Sequence, residues 1–133
     1  MKRILLIEDD DFLRSLICEA ILTTNYQVVT AENGRVGLRL ATELEPDLII
    51  SDMNMPYLNG DEVLKQVRAN FKTAHIPFIF LTSEQKTSQR VYAFKLGAND
   101  YLTKPFKTRE LLNAIAAQIE TQYPCSLMHE KVL

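Results

Sequence analysis

Five short apolar runs alternate with five segments of helical period along the chain, and that alternation restricts the fold more than any other feature. Ile4 to Ile7 reads as the first strand, and Phe12, Leu13, Leu16, Ile17, Ala20 and Ile21 then mark one face of a helix. Gln27 to Thr30 is a weaker second strand, after which Asn33-Gly34 leads into Val36, Leu40 and Leu44, each four apart. Asp47 to Ser51 is the third strand, behind the helix-stopping Pro46. Asn59 followed by Glu62 predicts a capping box, with Val63, Leu64, Val67 and Phe71 as the apolar stripe of that helix. Pro77 to Leu81 is the fourth strand, and Val91 and Phe94 belong to a helix closed by Gly97. A short strand surrounds Tyr101-Leu102, and Leu111, Leu112, Ile115 and Ile119 form a last amphipathic helix. Strand and helix in strict alternation mean an α/β fold, with parallel strands and crossover helices on both faces of one sheet. Near-continuous apolar runs, as in the first, third and fourth strands, suit strands buried on both faces.

A chain of 133 residues suits a single domain with a real core. Residues 1–122 read as that domain and 123–133 as a loose tail, because Pro124 stops the last helix. A net charge of −2 with no basic stripe gives no reason to expect direct nucleic-acid binding. Cys18 and Cys125 lack metal-ligand spacing; Cys18 reads as a small buried hydrophobe, and no disulfide framework is expected. Ile4 to Ile7 is too short for the apolar core of a signal peptide, and no run is long enough to span a bilayer. The chain therefore reads as cytoplasmic, without a membrane partner. His75 and His129 are isolated and read as solvated.

Ligands of an open parallel sheet bind beyond the carboxyl ends of its strands. Glu8-Asp9 ends the first strand, Asp52 the third and Thr82-Ser83 the fourth, while Lys104-Pro105 follows the fifth. Asp10 and Asp11 suit the N-terminus of the first helix, where acids meet the positive end of its dipole. Two carboxylates about 4 Å apart repel by roughly 1 kcal/mol in water and about 4 kcal/mol at a protein-surface dielectric. Three at one edge would protonate or recruit a cation, and Mg²⁺ prefers one or two carboxylates, retained waters and a phosphate. Pro105 restricts the residue before it, so Lys104 is held on a turn beside the acids as a phosphate clamp. Thr82 alone would be an ordinary helix cap; its place on the same edge gives it meaning.

Glu8-Asp9 after an apolar strand, Asp52 within D-M-N-M-P, Gly60, Thr82-Ser83 and Thr103-Lys104-Pro105-Phe106 together resemble the response-regulator receiver domain of two-component signalling. The resemblance runs to about Gln122 and rests on five motifs in register with the strand order. It implies a flavodoxin-like doubly wound (βα)5 fold with strand order 2-1-3-4-5, as in chemotaxis-type single-domain regulators. It implies that Asp52 is the phosphoacceptor, taking a phosphoryl group from a histidine kinase or histidine phosphotransfer protein. Asp9, Asp52 and the backbone carbonyl of Asn54 would hold Mg²⁺, or Mn²⁺ in its place, with Glu8 acting through a water. Lys104 would pair with one phosphoryl oxygen and Thr82 hydrogen-bond another, while Tyr101 would be the aromatic switch that turns inward. The output would be a changed protein-binding surface for a downstream target, with a homodimer through the last two strand–helix units on phosphorylation. Glu8 stands where many members carry Asp, a variant compatible with metal binding, and Asn54 and Glu84 occupy positions that tune phosphate lifetime in the family.

Two other readings compete. Haloacid-dehalogenase-like phosphohydrolases also form an aspartyl phosphate, but they need an acid two residues after the nucleophile, where this chain has Asn54. A receiver-like interaction module that is never phosphorylated usually loses a key residue, whereas Asp9, Asp52, Thr82 and Lys104 are all present. The expectation is a signalling switch that catalyses its own phosphorylation and dephosphorylation, not a turnover enzyme. An excised fragment would allow a DNA-binding or enzymatic domain downstream; a natural single-domain chain would act by protein contact.

Overall fold

The computed structural model describes residues 1–83 and 85–122. Strands and helices alternate as β1 (Arg3–Ile7), α1 (Asp11–Leu22), β2 (Gln27–Ala31), α2 (Gly34–Leu44), β3 (Leu48–Asp52), α3 (Gly60–Ala69), β4 (Phe78–Thr82), α4 (Thr87–Lys95), β5 (Asp100–Thr103) and α5 (Thr108–Gln122). All pairings are parallel, and the order is β2-β1-β3-β4-β5, the flavodoxin-like order that the resemblance implies.

Side chains alternate across a strand, so each central strand feeds two cores. Leu5, Ile7, Ile49, Phe78 and Phe80 pack with Ala41, Val63, Leu64, Val67 and Ala93 under α2, α3 and α4. Ile4, Leu6, Leu48, Ile50, Ile79 and Leu81 point the other way, onto Ile17 and Ile21 of α1 and Leu111, Ile115 and Ile119 of α5. Each Leu, Ile, Val and Phe among these contributes roughly 1.5–3 kcal/mol by leaving water. The sheet is therefore a rigid platform whose polar strand ends all open at one edge.

Several expectations shift in detail. The third strand runs one residue further than Ser51 and includes Asp52, which is buried. The first turn of α3 lacks the expected capping box: the Asn59 side chain instead accepts a hydrogen bond from the Met55 amide, 3.1 Å away, closing the loop after β3. Phe71 is 86% exposed because α3 ends at Ala69, so the stripe stops at Val67. Phe12 and Leu16 are exposed, leaving Ile17 and Ile21 to anchor α1. In α2 the buried positions are Gly34, Gly37 and Ala41, and Val36, Leu40 and Leu44 are half-buried. Close approach explains this: a Cβ on Gly37 would lie 2.4 Å from the Ile7 side chain. Val91 and Phe94 lie exposed on α4, which is held to the core by Ala93. Cys18 is half-buried, and His75 is exposed as expected. Cys125, Pro124, His129, the 123–133 segment and Glu84 lie outside the described residues.

Candidate functional site

The polar edge is built by the ends of β1, β3, β4 and β5. Register places Ile7 beside Ala31 and Ser51, and Asp52 beside Leu81, so the residues following β1 and ending β3 emerge side by side. Glu8, Asp9 and Asp52 each offer a carboxylate oxygen, and these atoms lie within 4.8 Å of one another. Asp10 caps α1 by accepting from the Leu13 amide at 3.0 Å, and Asp11 pairs with Arg14, so both serve the helix as expected. Lys104 enters from the loop after β5, where its amide donates to the Thr82 carbonyl at 2.7 Å and its bond to Pro105 is cis. Its Nζ lies 3.1 Å from Glu8 Oε1 and 3.3 Å from Asp52 Oδ2. One ammonium thus bridges two acids.

Thr82 is buried at the end of β4, opposite Thr103. Tyr101 is buried in the α2–α3–α4 core, opposite Phe80 and away from the acids. Asn54 is exposed just beyond Asp52, and its backbone N–H bonds to the Asp52 carboxylate. The edge therefore gathers Glu8, Asp9, Asp52 and Lys104 directly, with Thr82 beside them and Tyr101 one layer behind.

Burial dominates the electrostatics. Glu8 is fully buried, and loss of solvent pushes its carboxyl up from 4.5 to about 7, against the lowering effects of the Asp10 amide and Lys104 and with a further push from Asp52. Burial likewise raises the Asp52 carboxyl, opposed by Lys104 and the Asn54 amide. Burial alone would lower Lys104, but the carboxylates of Asp52 and Glu8 outweigh it and raise it. With all three acids ionised, a single lysine leaves them undercompensated, which is the chemistry of a divalent-cation site.

A pH dependence follows for the protein without added divalent cation. Between pH 4.5 and about 7 the folded state holds a proton on Glu8 that the unfolded chain has released. Stability therefore falls as pH rises through this window, by about 3 kcal/mol in total from Glu8. Asp52 adds in the same sense, and Lys104 stays charged throughout. Urea unfolding at pH 5 and pH 8 checks this; equal or greater stability at pH 8 would contradict it.

Sequence reasoning missed three arginines. Arg14 donates to the Glu8 carbonyl at 2.8 Å, and its i,i+3 spacing from Asp11 was the only signal for it. Arg68 donates to the carbonyls of Ala74, Ile76 and Gly97 and to the Asn99 side chain, tying α3 to the turns around β4 and β5. The Arg90 guanidinium lies 5.5 Å from the Tyr101 ring centroid and 5.7 Å from that of Phe94. Neither has a sequence signature, since carbonyl acceptors and ring faces are set by the fold.

Sheet order and edge chemistry define the class: a doubly wound α/β protein with its polar site at the β1–β3 switch point. The profile of the response regulator receiver domain matches residues 4–116, and the chain belongs to that family. Among curated relatives, it is 35% identical over 135 residues to the DNA-binding dual master transcriptional regulator RpaA of Synechocystis sp., covering 100% of this chain and 56% of RpaA. It is also 35% identical over 117 residues to Protein PilH of Pseudomonas aeruginosa, covering 88% of this chain and 97% of PilH. The chain spans about half the length of the first two curated relatives it matches, 56% and 51%. A solved structure of the receiver domain of a sensor histidine kinase from Pseudomonas aeruginosa PAO1, with a magnesium ion coordinated in its active-site cleft, is 30% identical with a TM-score of 0.83. That likeness covers 90% of this chain and 98% of the other. Members of the family are signalling switches, and this chain is a receiver domain of the response-regulator type. No described helix is long and apolar enough to cross a membrane.

Proposed function

We propose that Asp52 is the phosphoacceptor of a two-component or phosphorelay switch, and that residues 1–122 form the receiver unit. The observation that carries this is Asp52 in reach of both an acidic pair and Lys104, at the carboxyl edge of the sheet. A phosphohistidine on a histidine kinase or histidine phosphotransfer protein is the donor. An Asp52 oxygen forms the new P–O bond as the P–N bond breaks, and the electron pair returns to the imidazole nitrogen. Asp9, Asp52 and the Asn54 carbonyl would hold Mg²⁺, or Mn²⁺ in its place, with Glu8 acting through a water. When bound, the ion supplies positive charge to the phosphoryl oxygens.

Lys104 exchanges its Glu8 and Asp52 partners for a phosphoryl oxygen, and Thr82 takes another by its hydroxyl. Such positioning and charge complementarity supply most of the catalysis in phosphoryl transfer. The chain's own residues thus carry its phosphorylation and its later hydrolysis. Asn54 cannot serve as the acid that a turnover phosphohydrolase needs. The switch is a two-state shift of Thr82 and Tyr101 that reshapes the α4–β5–α5 face for a downstream protein target. Exposed Val91, Tyr92 and Phe94 on α4 support that face as the output and, on phosphorylation, as the contact between two copies.

Beryllofluoride with Mg²⁺ mimics an aspartyl phosphate without chemistry. It is expected to saturate one site per chain and to shift the amide resonances of Thr82, Ser83, Tyr101 and Lys104, with Asp52→Asn giving no shift. Association of two copies is read from the same sample by size exclusion. Equal shifts in Asp52→Asn would overturn the assignment.

A further inference from the structure

We propose that Arg14 is a positioning residue for the acidic site, holding the β1–α1 turn in the shape that brings Glu8 and Asp9 into ligand range of Asp52. The inference rests on the divalent-cation reading above. The Arg14 guanidinium reaches back over the turn: its Nη1 donates to the carbonyl of Glu8 at 2.8 Å, while its backbone amide makes the ordinary first-turn helix bond to the Asp10 carbonyl at 2.9 Å. Its Nη2 pairs with Asp11 Oδ1 at 2.5 Å, which fixes the guanidinium against the first turn of α1. The Arg14 side chain is 20% exposed and that of Asp11 88%, so the arginine is the inner partner.

The rest of the turn is tied as well. The Glu8 amide is held in the ladder by the Ala31 carbonyl at 3.0 Å, and Glu8 Oε2 accepts from the Asp10 amide at 3.1 Å. Beyond β1 the Glu8 carbonyl has left the ladder, and the Arg14 guanidinium supplies a donor from the side. Two separate nitrogens of one rigid plane serve the two acceptors here, Nη1 the carbonyl and Nη2 the carboxylate, a fixed geometry that the single nitrogen of a lysine does not reproduce. Arg14 therefore fixes the backbone on which Glu8 and Asp9 stand, acting through the Glu8 carbonyl and not through a carboxylate of the cluster.

Charge and geometry predict opposite signs, which makes the proposal decidable. The Arg14 guanidinium adjoins the turn that carries Glu8 and Asp9, and a cation there opposes a second cation, so loss of charge alone would tighten Mg²⁺ binding. Loss of the tie would loosen it, because supporting contacts around a metal site typically carry about 10–100-fold in affinity. Calorimetric titration with MgCl₂ at pH 8 and fixed ionic strength, on the full chain, separates the two. Arg14→Gln is expected to raise the Kd about tenfold and Arg14→Lys several-fold, while Lys104→Met, which also removes a cation, lowers it. Urea unfolding confirms that each variant is folded, and Arg14→Lys decides alone should Arg14→Gln fail to fold. Unchanged or tighter binding in Arg14→Gln, or full wild-type affinity in Arg14→Lys, overturns the positioning role alone. Absence of Mg²⁺ binding in the wild-type chain overturns the divalent-cation reading, and this inference with it.

Discussion

Lys104→Met is expected to slow phosphorylation by a small phosphodonor about 10²–10³-fold while tightening Mg²⁺ binding. The rate effect follows from losing a preorganised donor aimed at the transferring phosphoryl group, for which comparable deletions cost that much. A second effect adds to it. Burial already raises the Asp52 carboxyl, and Lys104 is the main influence holding it down. Without the ammonium, the Asp52 carboxylate loses its main stabilising partner. Metal affinity moves the other way because the three acids lose the lysine that partly neutralises them. Time courses of intact mass with a phosphoramidate, beside calorimetric Mg²⁺ titration, read both. A wild-type rate in Lys104→Met would remove the lysine from the chemistry.

Gly60→Ala has the next largest effect, this time on the fold. A Cβ at Gly60 would lie 2.2 Å from the carbonyl oxygen of Asp52 and 3.0 Å from Phe80 Cε1. Neither neighbour yields easily, because Asp52 is the last residue of β3 and Phe80 is fully buried in edge-to-face contact with Phe78. The Gly60 amide is also engaged, donating to the Met53 carbonyl at 2.8 Å. Overpacking of this kind costs about 3 kcal/mol, against a helical gain for alanine of about 1 kcal/mol at most. A net loss of about 2 kcal/mol corresponds to a Tm drop of roughly 4–8 °C for a domain of this size. Phosphorylation should also slow, since the strain falls on the backbone of Asp52 itself. An unchanged Tm would show that the loop after β3 relaxes freely.

Much of the architecture was legible because the apolar pattern carries period and burial together. Strands buried on both faces read as unbroken runs, and Ile49, Ile50, Phe78 and Leu81 are fully buried as that pattern requires. The acids and Lys104 were legible for a topological reason: strand ends of a parallel sheet meet at one edge. What the pattern did not carry is depth. Phe12 and Phe71 are as apolar as any core residue yet stand exposed, one in the first turn of α1 and the other beyond the end of α3. In α2 the contact is so close that glycines and Ala41 hold the buried positions, a demand invisible to a count of large apolar residues.

Polar side chains with two possible tasks were harder still. Asn59 had the spacing of a helix cap, yet its oxygen holds the Met55 amide, because the loop after β3 must close beside Asp52. Beyond the spacing of Arg14 from Asp11, Arg14 and Arg68 carry no signal of their tasks in the sequence: Arg14 donates to the Glu8 carbonyl and to Asp11, and Arg68 to the carbonyls of Ala74, Ile76 and Gly97. Their acceptors come together only after folding.

The central claim is that Asp52 receives a phosphoryl group, and intact-mass analysis after incubation with a phosphoramidate and Mg²⁺ tests it most directly. The expected result is a gain of one phosphoryl group, lost on treatment with hydroxylamine and absent in Asp52→Asn or after chelation of the metal. An unchanged wild-type mass with several phosphodonors, or equal phosphorylation of Asp52→Asn, would contradict the account.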